Sequence, residues 1–248
     1  AKNTRPSTAT STAPLEIIPV QPLIDLQRNL PTALSVGRAT PTLAVFHADA
    51  RVTQEELRAS QAFTVAVALT SDGWLVLSDQ SFASNTRLAD IYIGWKNQLL
   101  TPTKGFHDRS TGLMYLKINA QDLPVAALLS RLDATVGEAI WMERAPGVYQ
   151  PTQITRLGYV NTSTAPLSSD QWNRVFVLDD VNAHVSAAVW DARGQLVGMA
   201  QPIANGAAVM PADAIRAGLD GLLAENQIRR PSLGLHYVDL AEVFSHKA

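Results

Sequence analysis

A catalytic or metal site needs nucleophiles, proton carriers or ligands within reach of one another, and this chain offers few candidates. It has no cysteine, which removes disulfides, thiolate metal sites and thiol nucleophiles. Its histidines, His47, His107, His184, His236 and His246, form no H-x-x-x-H or HExxH pair, so no helical zinc motif is present. Two stretches concentrate reactive residue types. In the first, Asp179 and Asp180 precede Asn182, His184 and Ser186, a grouping that offers a cation two carboxylates and a nucleophile a nearby imidazole. We read it as a turn held by local side-chain hydrogen bonds, with His184 a loop histidine and Ser186 an ordinary loop serine. In the second, His107-Asp108-Arg109-Ser110 follows the turn residues Pro102-Thr103-Lys104-Gly105 and reads as a solvated loop. No glycine-rich phosphate loop occurs. The sequence therefore assigns no metal and no cofactor.

Composition narrows the class further. Hydrophobic residues make up 46% of the 248 and charged residues 17%, enough apolar material for a sizeable core. A formal net charge of −2 and a pI near 6.2 leave no basic excess to neutralise a phosphate backbone, which argues against a nucleic-acid partner. No apolar run approaches the ~18 residues that a membrane-spanning helix needs.

The elements that must position any site are short and numerous. Residues 1–14, rich in Ser, Thr and Pro, read as a flexible tether, and residues 15–41 as a Pro-rich segment with one short helix before Pro31. Residues 51–60 read as a short helix or helical loop. Apolar or alternating runs then recur at 42–48, 62–70, 73–79, 89–95, 113–118, 139–143, 153–160, 174–180, 187–192, 195–202 and 207–212, separated by turn residues such as Ser71-Asp72-Gly73 and Ala192-Arg193-Gly194. Within them Leu113-Met114-Tyr115 and Trp141-Met142 read as strand core. Many short strands at such spacing predict an all-β barrel or sandwich. Residues 211–228 break the pattern: Pro211 suits a first helical position, and Ile215, Leu219, Leu222 and Leu223 share one helical face, with Gly218 and Gly221 weakening the helix.

Four stretches, in order, resemble the HtrA family of trypsin-like serine peptidases. They are SDGWLVLSDQSF (71–82), RSTGLMYLKINAQDLPVAAL (109–128), NAHVSAAVWDARGQLVGMA (182–200) and AAVMPADAIRAGLDGLLAENQIRRPSLGL (207–235). The resemblance covers about residues 42–240. It implies a trypsin-like double β-barrel, two six-stranded Greek-key barrels with a C-terminal helix; beyond it we expect a polar tail over 241–248 and no PDZ domain, since too few residues remain for one. It also implies three site positions. In the frame that begins Gly73-Trp74, Gln80 stands where the family carries its catalytic His. Before the strand Leu113-Met114-Tyr115-Leu116-Lys117-Ile118, Gly112 stands at the Asp. Counting back from Trp190-Asp191-Ala192-Arg193-Gly194 places Val185 at the nucleophile, with Ala183, Ser186 and Ala187 at the glycines around it.

An amide is no general base near neutral pH, glycine carries no carboxylate, and valine has no nucleophilic atom. The expectation is a fold without the peptidase chemistry: an inactive, bacterial, extracytoplasmic domain that binds protein or extended peptide as a scaffold or regulatory module. Homo- or hetero-oligomer contacts are part of what the resemblance implies. Two alternatives stand beside it. One is a structural subunit of an envelope assembly. The other is an active serine hydrolase whose nucleophile is shifted by one residue to Ser186.

Overall fold

The computed structural model describes Leu34 and residues 40–47, 62–82, 86–96, 98–159, 167–168, 174–178, 186–203, 206–230 and 233–237. The tether, nearly all of the Pro-rich segment, the helix expected over 51–60 and the polar tail lie outside the described residues.

Two β units follow one another along the chain. The first contains β1 (Thr42–His47), β2 (Thr64–Ala68), β3 (Trp74–Ser78), β4 (Ile91–Trp95), β5 (Gln98–Leu100), β6 (Lys104–Asp108) and β7 (Leu113–Lys117). They form one sheet in the order β5-β4-β1-β2-β3-β7-β6. The second unit is a closed six-stranded barrel built from β8 (Ala139–Ala145), β9 (Val148–Tyr159), β11 (Arg174–Leu178), β12 (Ala187–Trp190), β13 (Leu196–Ile203) and β14 (Gly206–Pro211). A small separate pair joins β10 (Leu167–Ser168) to β15 (His236–Tyr237).

Each strand run expected from the sequence that falls on described residues is a strand. The first unit departs from the expected six-stranded barrel. It has seven strands, and among the described residues its end strands β5 and β6 do not pair. The extra strand comes from a tight reversal after Trp95, where Lys96 takes a left-handed φ of 46° and β5 folds back on β4.

The central strands read as unbroken apolar runs because both of their faces are buried. Side chains alternate between faces. Ala66, Ala68, Leu75, Leu77, Met114 and Leu116 fill the inside of the first unit. Their neighbours Val65, Val67, Trp74, Val76, Leu113 and Tyr115 point the other way, into a seam shared with Trp141, Trp190, Leu196, Met199 and Met210 of the second unit. The second barrel has its own interior of Ile140, Met142, Phe176, Val189, Ala200 and Val209. Between the units the chain crosses along β13, fastened by Leu196 N–H to Ala127 O (2.7 Å) and Leu129 N–H to Leu196 O (2.9 Å).

The closing helix α1 (Ala212–Glu225) buries Ala214, Ile215, Gly218, Leu219 and Leu222 and ends at Asn226, which takes the left-handed conformation, with its N–H on Leu222 O. Pro211 proves to be the N-cap rather than the first helical residue, still extended as the last residue of β14. Leu223, expected on the buried face, is exposed, because the stripe centred on Ile215, Leu219 and Leu222 turns it to solvent. Gly218 has a packing role: a Cβ there would lie 2.2 Å from the Tyr115 hydroxyl, which donates to Ile215 O at 3.1 Å.

Candidate functional site

The two site positions of the first unit converge at one corner of the seam. β3 ends at Ser78, and a 3-10 turn over Asp79–Ser81 carries Gln80 outward. β6 and β7 are joined by a four-residue reversal that closes at Gly112, whose left-handed φ of 65° suits glycine. The carbonyl of Gly112 accepts the Asp79 N–H at 3.0 Å, which holds the Gln80 turn against the hairpin.

Between them sits Gln201 of β13, from the second unit. Its Nε2 donates to Thr111 O (2.9 Å) and Gly112 O (3.0 Å), and its Oε1 accepts a long 3.5 Å contact from Gln80 Nε2. A side chain at position 112 would begin 3.0 Å from Gln201 Oε1 and 3.4 Å from Asp79 Oδ1. The amide of Gln201 and the carboxylate of Asp79 therefore occupy the space into which a residue at 112 would project. Ser186 is buried (4% exposed) immediately before β12. Extending the pairing of Ala187 with Ala200 by one residue puts Ser186 level with Gln201. Val185, the position matched to the nucleophile, lies outside the described residues, as do Asp179, Asp180, Asn182, Ala183 and His184.

The second reactive stretch corrects the sequence reading. Lys104–Asp108 is strand β6, and only His107 and Arg109 of the four residues are exposed. Asp108 is buried because Arg230, arriving after α1, pairs with it through two nitrogens and also donates to Ala214 O. Ser110 N–H and Oγ donate to Asp108 Oδ1 at 3.2 and 2.6 Å. Burial pushes the Asp108 carboxyl up, but hydrogen bonds from Arg230, Ser110 and Thr111, with the guanidinium charge, outweigh it and hold the group below the ordinary carboxylate range. Asp79 is displaced the other way. Burial drives it up and Asp108 adds to that, with His107 opposing.

A further buried carboxylate lies elsewhere in the seam. Glu143 accepts from Thr42 Oγ1 of the first unit at 2.8 Å and from Trp190 Nε1 (2.8 Å) and Gly147 N–H (2.7 Å) of the second. Burial raises it above the usual value despite these donors. Sequence reasoning missed Gln201, Asp79, Arg230 and Glu143. For two of them a signal existed: Gln201 and Glu143 are lone polar residues in step with the seam-facing Met199 and Trp141. No group of three or more potential metal-binding side chains occurs among the described residues.

No family model matches the chain, and no curated protein matches it. Solved structures do. The HtrA-type protease AlgW with a decapeptide aligns at 16% identity and a TM-score of 0.53 over 71% of this chain and 56% of that one. AlgW with a tripeptide aligns at 14% identity and a TM-score of 0.54 over 79% of this chain and 64% of that one. The chain thus spans well under two thirds of the first of these and just under two thirds of the second. At such identities the likeness shows the fold alone, and that fold is the trypsin-like double barrel.

Proposed function

We propose that this chain is a catalytically inactive domain of the trypsin-like fold that binds protein or extended peptide, acting outside the cytoplasm as a scaffold or regulatory module. The observation that supports this reading is the Gln201 amide, buried between Gln80 and the carbonyls of Thr111 and Gly112. Peptidase chemistry of this fold needs an imidazole at one of these positions and a carboxylate at the other, aligned in one hydrogen-bonded row. Here the row is made of two amides and two peptide carbonyls. None of these groups takes up a proton near neutral pH, so the row can hold structure but not relay a proton.

Binding is the function that the fold retains without that row. A cleft between two β units, with strand edges beside it, receives an extended chain by main-chain hydrogen bonding. Among the described residues no helix is long and apolar enough to cross a membrane.

The test uses a fluorophosphonate probe, which labels activated serines, together with hydrolysis of unstructured casein. The expected outcome is neither labelling nor cleavage. Labelling that disappears in Ser186→Ala would sink the proposal and establish a shifted nucleophile in its place. Co-purification from the native source then identifies the bound protein, a stable stoichiometric partner being the expected result.

A further inference from the structure

Glu143 is buried in the seam between the two units without a counter-charge. It shares the seam-facing side of β8 with Trp141. Thr42 Oγ1 of the first unit (2.8 Å) and the Gly147 N–H (2.7 Å) donate to its Oε1, and Trp190 Nε1 (2.8 Å) donates to its Oε2. The Tyr149 hydroxyl adds a donor from β9, and every one of these donors is neutral.

The elements packed around the carboxylate bring no cation to it. β1 presents Thr42, and Thr64–Ala68 of β2 carry no charged side chain. β9 presents Tyr149, whose phenol is pushed up by burial and by Glu143 itself, so it stays protonated. β12 presents Trp190, and the next residue, Asp191, is turned to Arg193. Arg144 follows Glu143 on β8, and among the described residues no ion pair joins the two. Asp108 is the contrast within the same molecule: a buried acid that does receive a cation, Arg230, and is held low.

We propose that Glu143 is a proton-operated clasp: the seam takes up a proton there as the pH falls, and the two units are then held together more firmly. The surroundings suit both charge states. The N–H groups of Trp190 and Gly147 can only donate, but a hydroxyl donates or accepts. A protonated Oε1 therefore donates to Thr42 Oγ1, whose hydroxyl turns, and the bond between the units is kept with its direction reversed. The ionised carboxylate has neutral donors but no opposite charge to offset its lost hydration. Burial outweighs the donors, so the folded value lies above the ordinary glutamate value. A raised folded value gives stability that is fully present below the unfolded value and is lost as pH rises through the folded one. Any state in which the units part and water reaches Glu143 binds the proton less readily than the closed seam does. The clasp is independent of the binding function proposed above.

The test follows the Trp190 indole N–H, which is bonded directly to Oε2, by proton–nitrogen correlation spectra from about pH 8 to about pH 4. In the unmodified protein its signal should titrate with a midpoint above the ordinary glutamate value, and in Glu143→Gln that titration should be gone. Urea denaturation of the same two proteins adds the energetic reading. The unmodified protein should gain stability relative to Glu143→Gln as the pH falls, since the amide stays neutral throughout. A midpoint at or below the ordinary glutamate value overturns the clasp, as does a stability difference that stays flat or shrinks on acidification. The midpoint is read on the unmodified protein, so it decides the matter even where Glu143→Gln does not fold.

Discussion

At Asp108 two opposing forces act on one carboxyl group, and the winner is visible in its surroundings. Burial would neutralise the acid, yet Arg230 and Ser110 supply enough donors to keep it charged. Because the folded-state value lies below the ordinary carboxylate value of about 3.9, the pair's contribution is fully present above that pH. It is lost as pH falls through the folded value. Arg230→Met should therefore destabilise the protein by about 3 kcal/mol at pH 7, the cost of stranding a buried charge. The deficit relative to the unmodified protein should be smaller at pH 3, and urea denaturation at the two pH values measures it. None of this was legible in His107-Asp108-Arg109-Ser110 as a string. Those residues read as a solvated loop because the partner, Arg230, is 122 positions away. Gln80 and Gly112, by contrast, were reached from local frames, and the strand β3 and the reversal before β7 that make up those frames lie where the sequence pattern puts them.

Helix α1 shows the same division at the level of an element. Its apolar spacing predicts the buried face, and Ile215, Leu219 and Leu222 are on it. The spacing does not say why two glycines interrupt a helix. Gly218 makes room for the ring and hydroxyl of Tyr115 from the opposite unit, and a Cβ at Gly221 would meet Gln227 O at 2.8 Å. Intrinsic propensity favours Gly218→Ala by about 1 kcal/mol. Overpacking against a buried ring costs about 1–3 kcal/mol, and here it also displaces the Tyr115 hydrogen bond to Ile215 O. The net effect should be destabilising, read as a lower urea midpoint. Truncating the obstacle in the double variant Gly218→Ala/Tyr115→Phe should recover only part of the loss, because the ring remains. The unpaired ends of the first sheet were equally illegible: β5 is three residues of ordinary composition, and β6 hides in a turn-like sequence.

For the whole molecule, the seam is the dominant apolar cluster, and it belongs to neither unit alone. Trp74 reports on the first unit, Trp141 and Trp190 on the second, and all three lie in that shared cluster. Glu143 adds a polar tie by joining Thr42 to Trp190. Neither unit keeps its strands dry on both faces without the other. The two should unfold in a single cooperative transition, with tryptophan fluorescence and far-UV circular dichroism giving coincident denaturation curves. Two resolved transitions would mean that the seam contributes less than its burial implies. The alternation of buried faces was readable as apolar runs in the sequence. Which of the two faces met the other unit was not, because a strand buried on both sides carries no polar mark of its inward direction.

The place of Gln201 also couples the changes that can be made to this corner. An aspartate introduced at Gly112 would project onto the Gln201 amide and toward the Asp79 carboxylate. A histidine at position 80 would meet the same amide in place of a carboxylate partner. The Gln201 amide is the far end of a flexible side chain and can give way, whereas the left-handed φ of 65° at Gly112 strains any side chain placed there. On the proposed inactive reading, the effect of a carboxylate at 112 or an imidazole at 80 depends on whether Gln201 still bridges the two positions. Directed evolution of a proton relay at this corner would therefore vary position 201 together with 80 and 112.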